Sequence, residues 1–137
     1  MAGYSGTPLL KKLGIKEGDR VVVKNAPTAM PEELTVIPTV RATKNVDVAL
    51  LFATSIHQFK AGFATLFTAV KPDGMIWAAW PKKSSGFQTD LTENVIRDLA
   101  LQTPFVDVKV CAIDDTWSGL KLVVRKELRA TFASARN

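Results

Sequence analysis

Three apolar runs with few charges divide the chain and predict the central strands of a buried sheet. The runs cover residues 20–23, 46–53 and 76–80. Strands that helices cover on both faces carry apolar residues at successive positions, as in parallel sheets. Between the second and third runs, apolar residues recur at steps of three and four from Ile56 to Val70. This spacing predicts an amphipathic helix.

Residues before the first run predict a short helix and a turn. Thr7 is suited to cap the helix, Pro8 to its first position and Gly14 to a left-handed exit. Residues 16–19 are typical of a turn. The helix is too short to be stable alone, so we expect packing to hold it.

The segment from residue 28 to residue 45 carries the weakest pattern. Residues 31–34 favour a single helical turn. A short strand is predicted beyond them, confined to an edge by Pro38, because proline cannot donate to a strand ladder. The apolar residues of this predicted strand are Val36, Ile37 and Val40.

After the amphipathic helix, turns and caps predict three further elements. Residues 71–74 indicate a turn before the third run. Asp90 is the predicted cap of a second helix over residues 91–102. Alternating apolar and polar positions over 106–113 and 120–125 predict a β-hairpin.

Strand, helix, strand, helix and strand in succession indicate parallel pairing through crossovers. The predicted fold class is α/β, a small Rossmann-like three-layer sandwich with a mostly parallel sheet and a C-terminal antiparallel hairpin. Residues 1–137 are predicted to form a single domain. Residues 127–137 are polar and basic, and predict a flexible tail.

Composition limits the chemistry of the protein. The 137 residues are 47% hydrophobic and carry a formal net charge of +5, which suits a globular protein that can bind anions. With Cys111 and His57 as the only cysteine and histidine, an internal disulfide or a cysteine- or histidine-rich metal site is excluded. The sequence contains no signal peptide and no apolar run long enough to span a bilayer, so we expect a cytoplasmic protein without membrane contact.

The best candidate site follows the third predicted strand. Ligands of open parallel sheets bind outside the carboxyl ends of the strands, where helix N-termini favour anions. Lysines and hydroxyls cluster there, and two further polar residues follow the other strands. Trp117, in the predicted hairpin connector, is suited either to ligand contact or to core packing. The full set of candidate ligand-binding residues is Asn25, Ser55, Lys82, Lys83, Ser84, Ser85 and Trp117. The alternative is that the two lysines are simply solvated.

No motif identifies catalytic residues or a metal site. The dinucleotide fingerprint is absent, since Asn25, Ala26 and Pro27 stand where glycines would approach a pyrophosphate. If the protein is an enzyme, His57 and Asp115 are the candidate catalytic groups. Nucleic acid binding is disfavoured, because the aromatic residues mostly belong to the predicted core.

Six short motifs resemble one family of bacterial proteins, and the resemblance extends over nearly the whole chain. The motifs are Gly3-Tyr-Ser-Gly-Thr-Pro-Leu9, Lys12-Leu-Gly-Ile15, Trp80-Pro-Lys-Lys83, Asp90-Leu-Thr92, Val106-Asp-Val-Lys-Val110 and Asp115-Thr-Trp-Ser-Gly-Leu-Lys121. The family that they resemble is catalogued as domain of unknown function 3052.

The stretch Leu66–Gly74, ending in Val-Lys-Pro-Asp-Gly, resembles a turn of class I methyltransferases, and the Val106–Arg125 hairpin resembles their last two strands. From Val46 onward the chain is similar to the C-terminal half of these enzymes. That likeness implies a methyltransferase-like scaffold and, as cofactor, S-adenosylmethionine (SAM). Such enzymes hold SAM with a glycine-rich loop after the first strand and an acidic residue ending the second. Here Asn25-Ala-Pro27 replaces the loop, and residues 40–43 contain no acid. We therefore predict no cofactor, with SAM as the alternative.

These observations predict a non-catalytic binding or regulatory module on a methyltransferase-like scaffold. Its expected partner is a small anionic ligand or another protein. The alternatives are a diverged methyltransferase or other transferase, and a structural protein that acts as a homodimer.

Overall fold

A mixed sheet forms the centre of the fold. The computed structural model describes residues 8–41 and 44–136, in which the strand order is β1-β2-β3-β5-β4. The strands are β1 (Val21–Lys24), β2 (Val46–Phe52), β3 (Val70–Pro81), β4 (Phe105–Ala112) and β5 (Trp117–Val124). The helices are α1 (Leu9–Leu13), α2 (Glu32–Thr35), α3 (Ile56–Leu66), α4 (Glu93–Leu101) and α5 (Arg129–Arg136), with 3₁₀ turns at Lys83–Ser85 and Lys126–Leu128.

Strand direction changes in the middle of the sheet. The β1–β2 and β2–β3 pairs are parallel, whereas β3–β5 and β4–β5 are antiparallel. The α/β class and the antiparallel hairpin are thus confirmed, but a mostly parallel sheet is not. The reason is that β5 turns back from β4 and inserts between β4 and β3.

Residues of β2 and β3 alternate between two apolar layers, one on each side of the sheet. Leu50, Phe52 and Trp77 lie in the layer that contains α1 and α2. Leu51 and Ile76 lie in the layer that contains α3, α4 and α5. Because both faces are covered, these strands have no alternation of polar and apolar residues.

The segment around α2 agrees only partly with the sequence prediction. The helical turn is confirmed, as are the turn before β1 and the left-handed Gly14, with φ 75°. The strand expected at Val36, Ile37 and Val40 is wrong, since the described residues 36–41 contain no strand. A single backbone bond, from Val40 N–H to Val21 O (2.9 Å), ties this segment to β1. The predicted Thr7 cap lies outside the described residues.

The turn expected at residues 71–74 is instead part of β3. Val70 pairs with Val46 and Met75 with Val48, so four residues of β3 bulge opposite one residue of β2. A Cβ atom on Gly74 would lie 2.9 Å from the carbonyl oxygen of Val46. The bulge therefore depends on glycine at this position.

The C-terminal segment differs from the flexible tail that the sequence predicts. It forms helix α5, and the side chain of Phe132 is 4% exposed. The Phe132 ring packs edge-to-face on Phe67 (5.2 Å between centroids) and Phe105 (5.7 Å). One apolar side chain in a basic segment gives too weak a period to indicate this docking.

Asp47, which lies opposite the bulge, gives the fold a pH dependence that can be measured. Lys71 Nζ lies 2.7 Å from Asp47 Oδ1, and Arg20 N–H donates to Oδ2 at 2.8 Å. Burial raises the pKa of Asp47, but the hydrogen bonds from Lys71 and Arg20 outweigh it and hold the pKa below its usual value. A lowered carboxyl pKa stabilises the fold above the unfolded-state pKa, and this stabilisation is lost as pH falls through the folded-state pKa.

We expect Asp47→Asn to lower the free energy of unfolding at pH 7 and to lose this effect in acid. Urea titrations of both proteins between about pH 7 and about pH 2 measure the difference. Asp98→Asn, on exposed α4 surface, is the control. A difference that stays constant over this range would contradict the assignment.

Candidate anion-binding cleft

An open cleft of about 690 Å³ lies where β2 and β3 end and α3 begins. It is at the carboxyl ends of these strands, where ligands of open parallel sheets bind. Its lining is mostly polar. The lining residues are Thr54, Ser55, Lys83, Gly86, Phe87, Gln88, Thr89 and Asp90.

The first turn of α3 is capped by side chains of its own segment. Ser55 has an extended backbone, with φ −151°, and its Oγ accepts a hydrogen bond from Gln58 N–H at 3.0 Å. Gln58 Oε1 in turn accepts from Thr54 N–H at 2.7 Å and from the Thr54 hydroxyl at 3.2 Å. The predicted site residue Ser55 is therefore in the cleft, with its hydroxyl serving as the helix cap.

A carboxylate from a distant part of the chain completes this helix end. Asp90 Oδ1 accepts a hydrogen bond from Ile56 N–H at 2.8 Å. The neighbouring Thr89 hydroxyl donates to Thr54 O at 2.7 Å. These two contacts hold the segment before α4 across the start of α3, and they place a negative charge where the dipole of α3 favours one.

The predicted role of Asp90 as the cap of the following helix is wrong. That helix begins at Glu93, and its cap is Thr92, whose Oγ1 accepts from Val95 N–H at 3.2 Å. Aspartate and threonine are both good caps, so local spacing could not choose between them. The contact of Asp90 with Ile56, 34 residues away, fixes the choice.

The basic loop after β3 folds into a tight 3₁₀ turn. Lys82 N–H donates to Thr116 O at 2.8 Å, which anchors the loop to the hairpin. The Ser85 hydroxyl donates to Lys82 O at 2.6 Å and accepts from Phe87 N–H at 3.2 Å. Lys83 is exposed and lines the cleft, whereas Lys82, Ser84 and Ser85 are not among the lining residues.

Asn25 and Trp117 are not brought to the cleft. Asn25 is exposed after β1, with the left-handed φ of 59°. Trp117 begins β5 and is 6% exposed, and its ring packs edge-to-face on Phe52 with 5.0 Å between centroids. It lies in the apolar layer of α1 and α2, so the core packing that we kept as an alternative is what the structure shows.

The candidate catalytic groups also lie outside the cleft lining. His57 is exposed in the first turn of α3, and Asp115 is exposed in the connector between β4 and β5. Over residues 8–41 and 44–136, no group of three acidic, histidine or cysteine side chains is placed to hold a metal ion. Nor does this part of the chain contain a helix long and apolar enough to cross a membrane.

Six lining residues were not among the candidate ligand-binding residues: Thr54, Gly86, Phe87, Gln88, Thr89 and Asp90. Of these, Phe87 is the most unusual, because its aromatic side chain is 52% exposed. An aromatic residue between Gly86 and polar residues, in a loop with no apolar period, was the available signal. Thr89 could be recognised only from its contact with Thr54, which is remote in sequence.

Comparisons with known proteins show the fold. No family model matches the chain, and no curated protein is similar to it. The structure of LepI in complex with SAM aligns with a TM-score of 0.52 at 10% identity, over 85% of this chain and 39% of LepI. A cysteine-to-alanine variant of LepI in complex with SAH and a substrate analogue aligns with a TM-score of 0.51 at 10% identity, over the same shares.

These alignments define the class of fold to which the chain belongs. It shares a mixed α/β fold with LepI. The chain spans about two-fifths of the length of LepI, 39%. At 10% identity the likeness describes the scaffold alone.

Proposed function

We propose that the protein is a non-catalytic binding module that holds a small phosphorylated ligand in the cleft between Lys83 and the first turn of α3. The observation that carries this proposal is the position of Asp90. Its carboxylate accepts from Ile56 N–H at 2.8 Å, inside the same cleft that Lys83 lines. The chain's own carboxylate thus occupies a position suited to a ligand's anion.

A phosphate group can replace this carboxylate without a change of fold. Asp90 is exposed, so it can swing out to solvent when a stronger anion arrives. A phosphate would accept from Ile56 N–H and gain the charge of Lys83, which reaches it as a flexible point charge. Thr54 and Gln88 line the same space and add polar contacts.

Phe87 favours a ligand that carries a flat ring as well as phosphate. Its half-exposed aromatic ring lies in the lining with Lys83. Stacking of a base on an aromatic side chain contributes about 1–3 kcal/mol. A nucleotide combines both features, with its phosphates towards Lys83 and its base on Phe87.

The turn after β1 supports a binding role rather than methyl transfer. Class I methyltransferases, which the sequence resembles, hold SAM with glycines at this turn. Here Asn25 takes the left-handed conformation, with Ala26 and Pro27 after it. Pro27 cannot donate a hydrogen bond to a ligand at all.

Calorimetric titration with ATP and with tripolyphosphate tests the proposal. We expect Lys83→Ala to weaken the binding of both ligands about tenfold, or about 1.4 kcal/mol, through loss of one charge-assisted contact. Phe87→Ala should weaken the binding of ATP and leave the binding of tripolyphosphate unchanged. Lys126→Ala is the matched control, since Lys126 is exposed and outside the cleft. Equal weakening by Lys83→Ala and Lys126→Ala, or no binding at about 1 mM, would refute the site.

A second candidate is a SAM-dependent enzyme, and the LepI complexes with SAM and SAH favour it. The region that aligns with LepI includes 85% of this chain. Titration with SAH separates the two candidates. Micromolar binding of SAH that Lys83→Ala leaves unchanged would support the second candidate over the first.

A further inference from the structure

A second charged surface of the sheet lies on β4 and β5 and includes none of the residues that line the cleft. On the side of α1 and α2, Leu9, Leu13 and Leu34 cover β1, β2 and β3. Val106 and Val123 lie on the same side of β4 and β5. Among the described residues they are half-buried and belong to neither apolar layer, so the layer of α1 and α2 ends short of them. We call this uncovered side of β4 and β5 the hairpin face.

Three lysines give the hairpin face a concentrated positive charge. Lys109 and Lys121 are directly opposite each other in the β4–β5 ladder, so their side chains share one side of the sheet. Lys12 Nζ reaches Ala112 O at 3.4 Å, at the end of β4. The ion pairs found among the described residues involve none of these lysines.

The pairing of Lys109 with Lys121 works against the stability of the fold. Like charges directly opposite in a ladder repel each other. Burial lowers the pKa of Lys121, and the charge of Lys109 lowers it further. An acidic group bound between the two ammonium groups would remove this repulsion.

The hairpin face ends at an open strand edge. In the described sheet, β4 pairs with β5 alone, so its other edge has free backbone donors and acceptors. Val108 and Val110 are 52% and 47% exposed along this strand. Val110 is opposite Leu120, which belongs to the apolar layer on the side away from the lysines.

We propose that an extended acidic segment of a partner protein docks here as an added strand on β4, with acidic side chains towards Lys109 and Lys121 and apolar side chains towards Val110. Successive residues of a strand point to opposite faces, so the segment alternates acidic and apolar residues. Backbone hydrogen bonds at the β4 edge supply affinity. Specificity comes from the different side chains on the two faces, the lysines on one and Val110 on the other.

Charge decides between this occupant and the others. A second copy of the chain would bring its own Lys109 to the edge, and lysine on an edge strand opposes such self-pairing. A nucleic acid strand would need exposed aromatic side chains for stacking. The side chains beside the lysines are Val106, Val123 and Cys111, with no aromatic ring among them.

Amide chemical-shift mapping of the isotope-labelled protein tests this docking. The probe is an acetylated and amidated peptide of three Glu-Val repeats, compared with a Gln-Val peptide and with oligothymidylate of the same charge. The test variant combines Lys109→Gln with Lys121→Gln. Its control, Lys60→Gln with Lys126→Gln, removes the same charge from exposed positions outside the hairpin face.

We expect saturable shifts along β4 and β5 with the acidic peptide, and about tenfold weaker binding to the test variant. Four results would overturn the proposal. They are the absence of saturable shifts at about 1 mM peptide, equal binding of the Gln-Val peptide, equal weakening by the control variant, and tighter binding of oligothymidylate at β4 and β5. None of these results depends on whether the cleft binds phosphate.

Discussion

Trp77→Ala is expected to destabilise the protein by about 3–5 kcal/mol, the usual cost of removing a large buried aromatic side chain. Trp77 is fully buried in β3, between Leu50 of β2 and Lys121 of β5. A typical domain has a total stability of about 5–15 kcal/mol. The substitution therefore removes a large part of the stability, which urea titration at 25 °C measures.

The indole of Trp77 also holds α1 on the sheet. Its Nε1 donates to Leu13 O at 2.9 Å, one of the carbonyls that a helix C-terminus leaves without a partner within the helix. Trp77→Phe keeps most of the apolar volume and removes this bond, so we expect a loss of about 1–2 kcal/mol.

Hydrogen exchange separates the effect of the indole bond on α1 from the effect of lost core packing. Trp77→Phe should speed exchange at the amides of Lys12, Gly14 and Ile15, which are bonded within and just after α1. Trp80→Phe is the matched control, since Trp80 lies on the other side of β3. Equal exchange in the two variants would contradict the role of the indole bond.

Asp90→Asn is expected to tighten phosphate binding about tenfold while lowering stability slightly. The asparagine retains an oxygen for Ile56 N–H but loses the charge that competes with the ligand. Like charges about 4–8 Å apart repel by about 0.5–1 kcal/mol in bulk water and about 2–4 kcal/mol at the effective dielectric of a protein surface. The expected tenfold gain in affinity, about 1.4 kcal/mol, lies between these values. Loss of the charge at the N-terminus of α3 costs about 0.3–1 kcal/mol of stability.

The opposite signs of these two effects make the prediction specific. Calorimetry with tripolyphosphate measures the first and urea titration the second. Asp98→Asn makes the same charge change on α4, outside the cleft, and should leave both quantities nearly unchanged. If Asp90→Asn weakened phosphate binding, Asp90 would be a group that the ligand needs rather than one that it displaces.

The parts of the fold that the sequence predicted are those with a strong local period. Strand β2 and the hairpin have such a pattern and are found near their expected bounds. Helix α3 and strand β3 are found too, but α3 ends at Leu66 rather than Val70, and β3 begins at Val70 rather than Ile76. The bulge before Met75 and the docking of Phe132 depend on contacts between remote segments. No local period records those contacts, so the turn, the tail and the start of α4 were misassigned.

The cleft was predictable in position and less so in composition. Ser55 and Lys83 follow the ends of β2 and β3, and the topology of a parallel sheet brings those ends together. Asp90 was identified as a helix cap, and it caps a helix, but the helix is α3 rather than the one that follows it. Trp117 is the first residue of β5, and its side chain lies in the apolar layer of α1 and α2 rather than in the cleft.

The central claim is that the cleft beside α3 binds an anion, and amide shift mapping with tripolyphosphate tests it most directly. We predict saturable shifts confined to residues 54–57 and 83–90, with half-saturation at about tenfold lower tripolyphosphate concentration in Asp90→Asn. Shifts at residues 24–27 on addition of SAH, with no response of the cleft to tripolyphosphate, would contradict the claim.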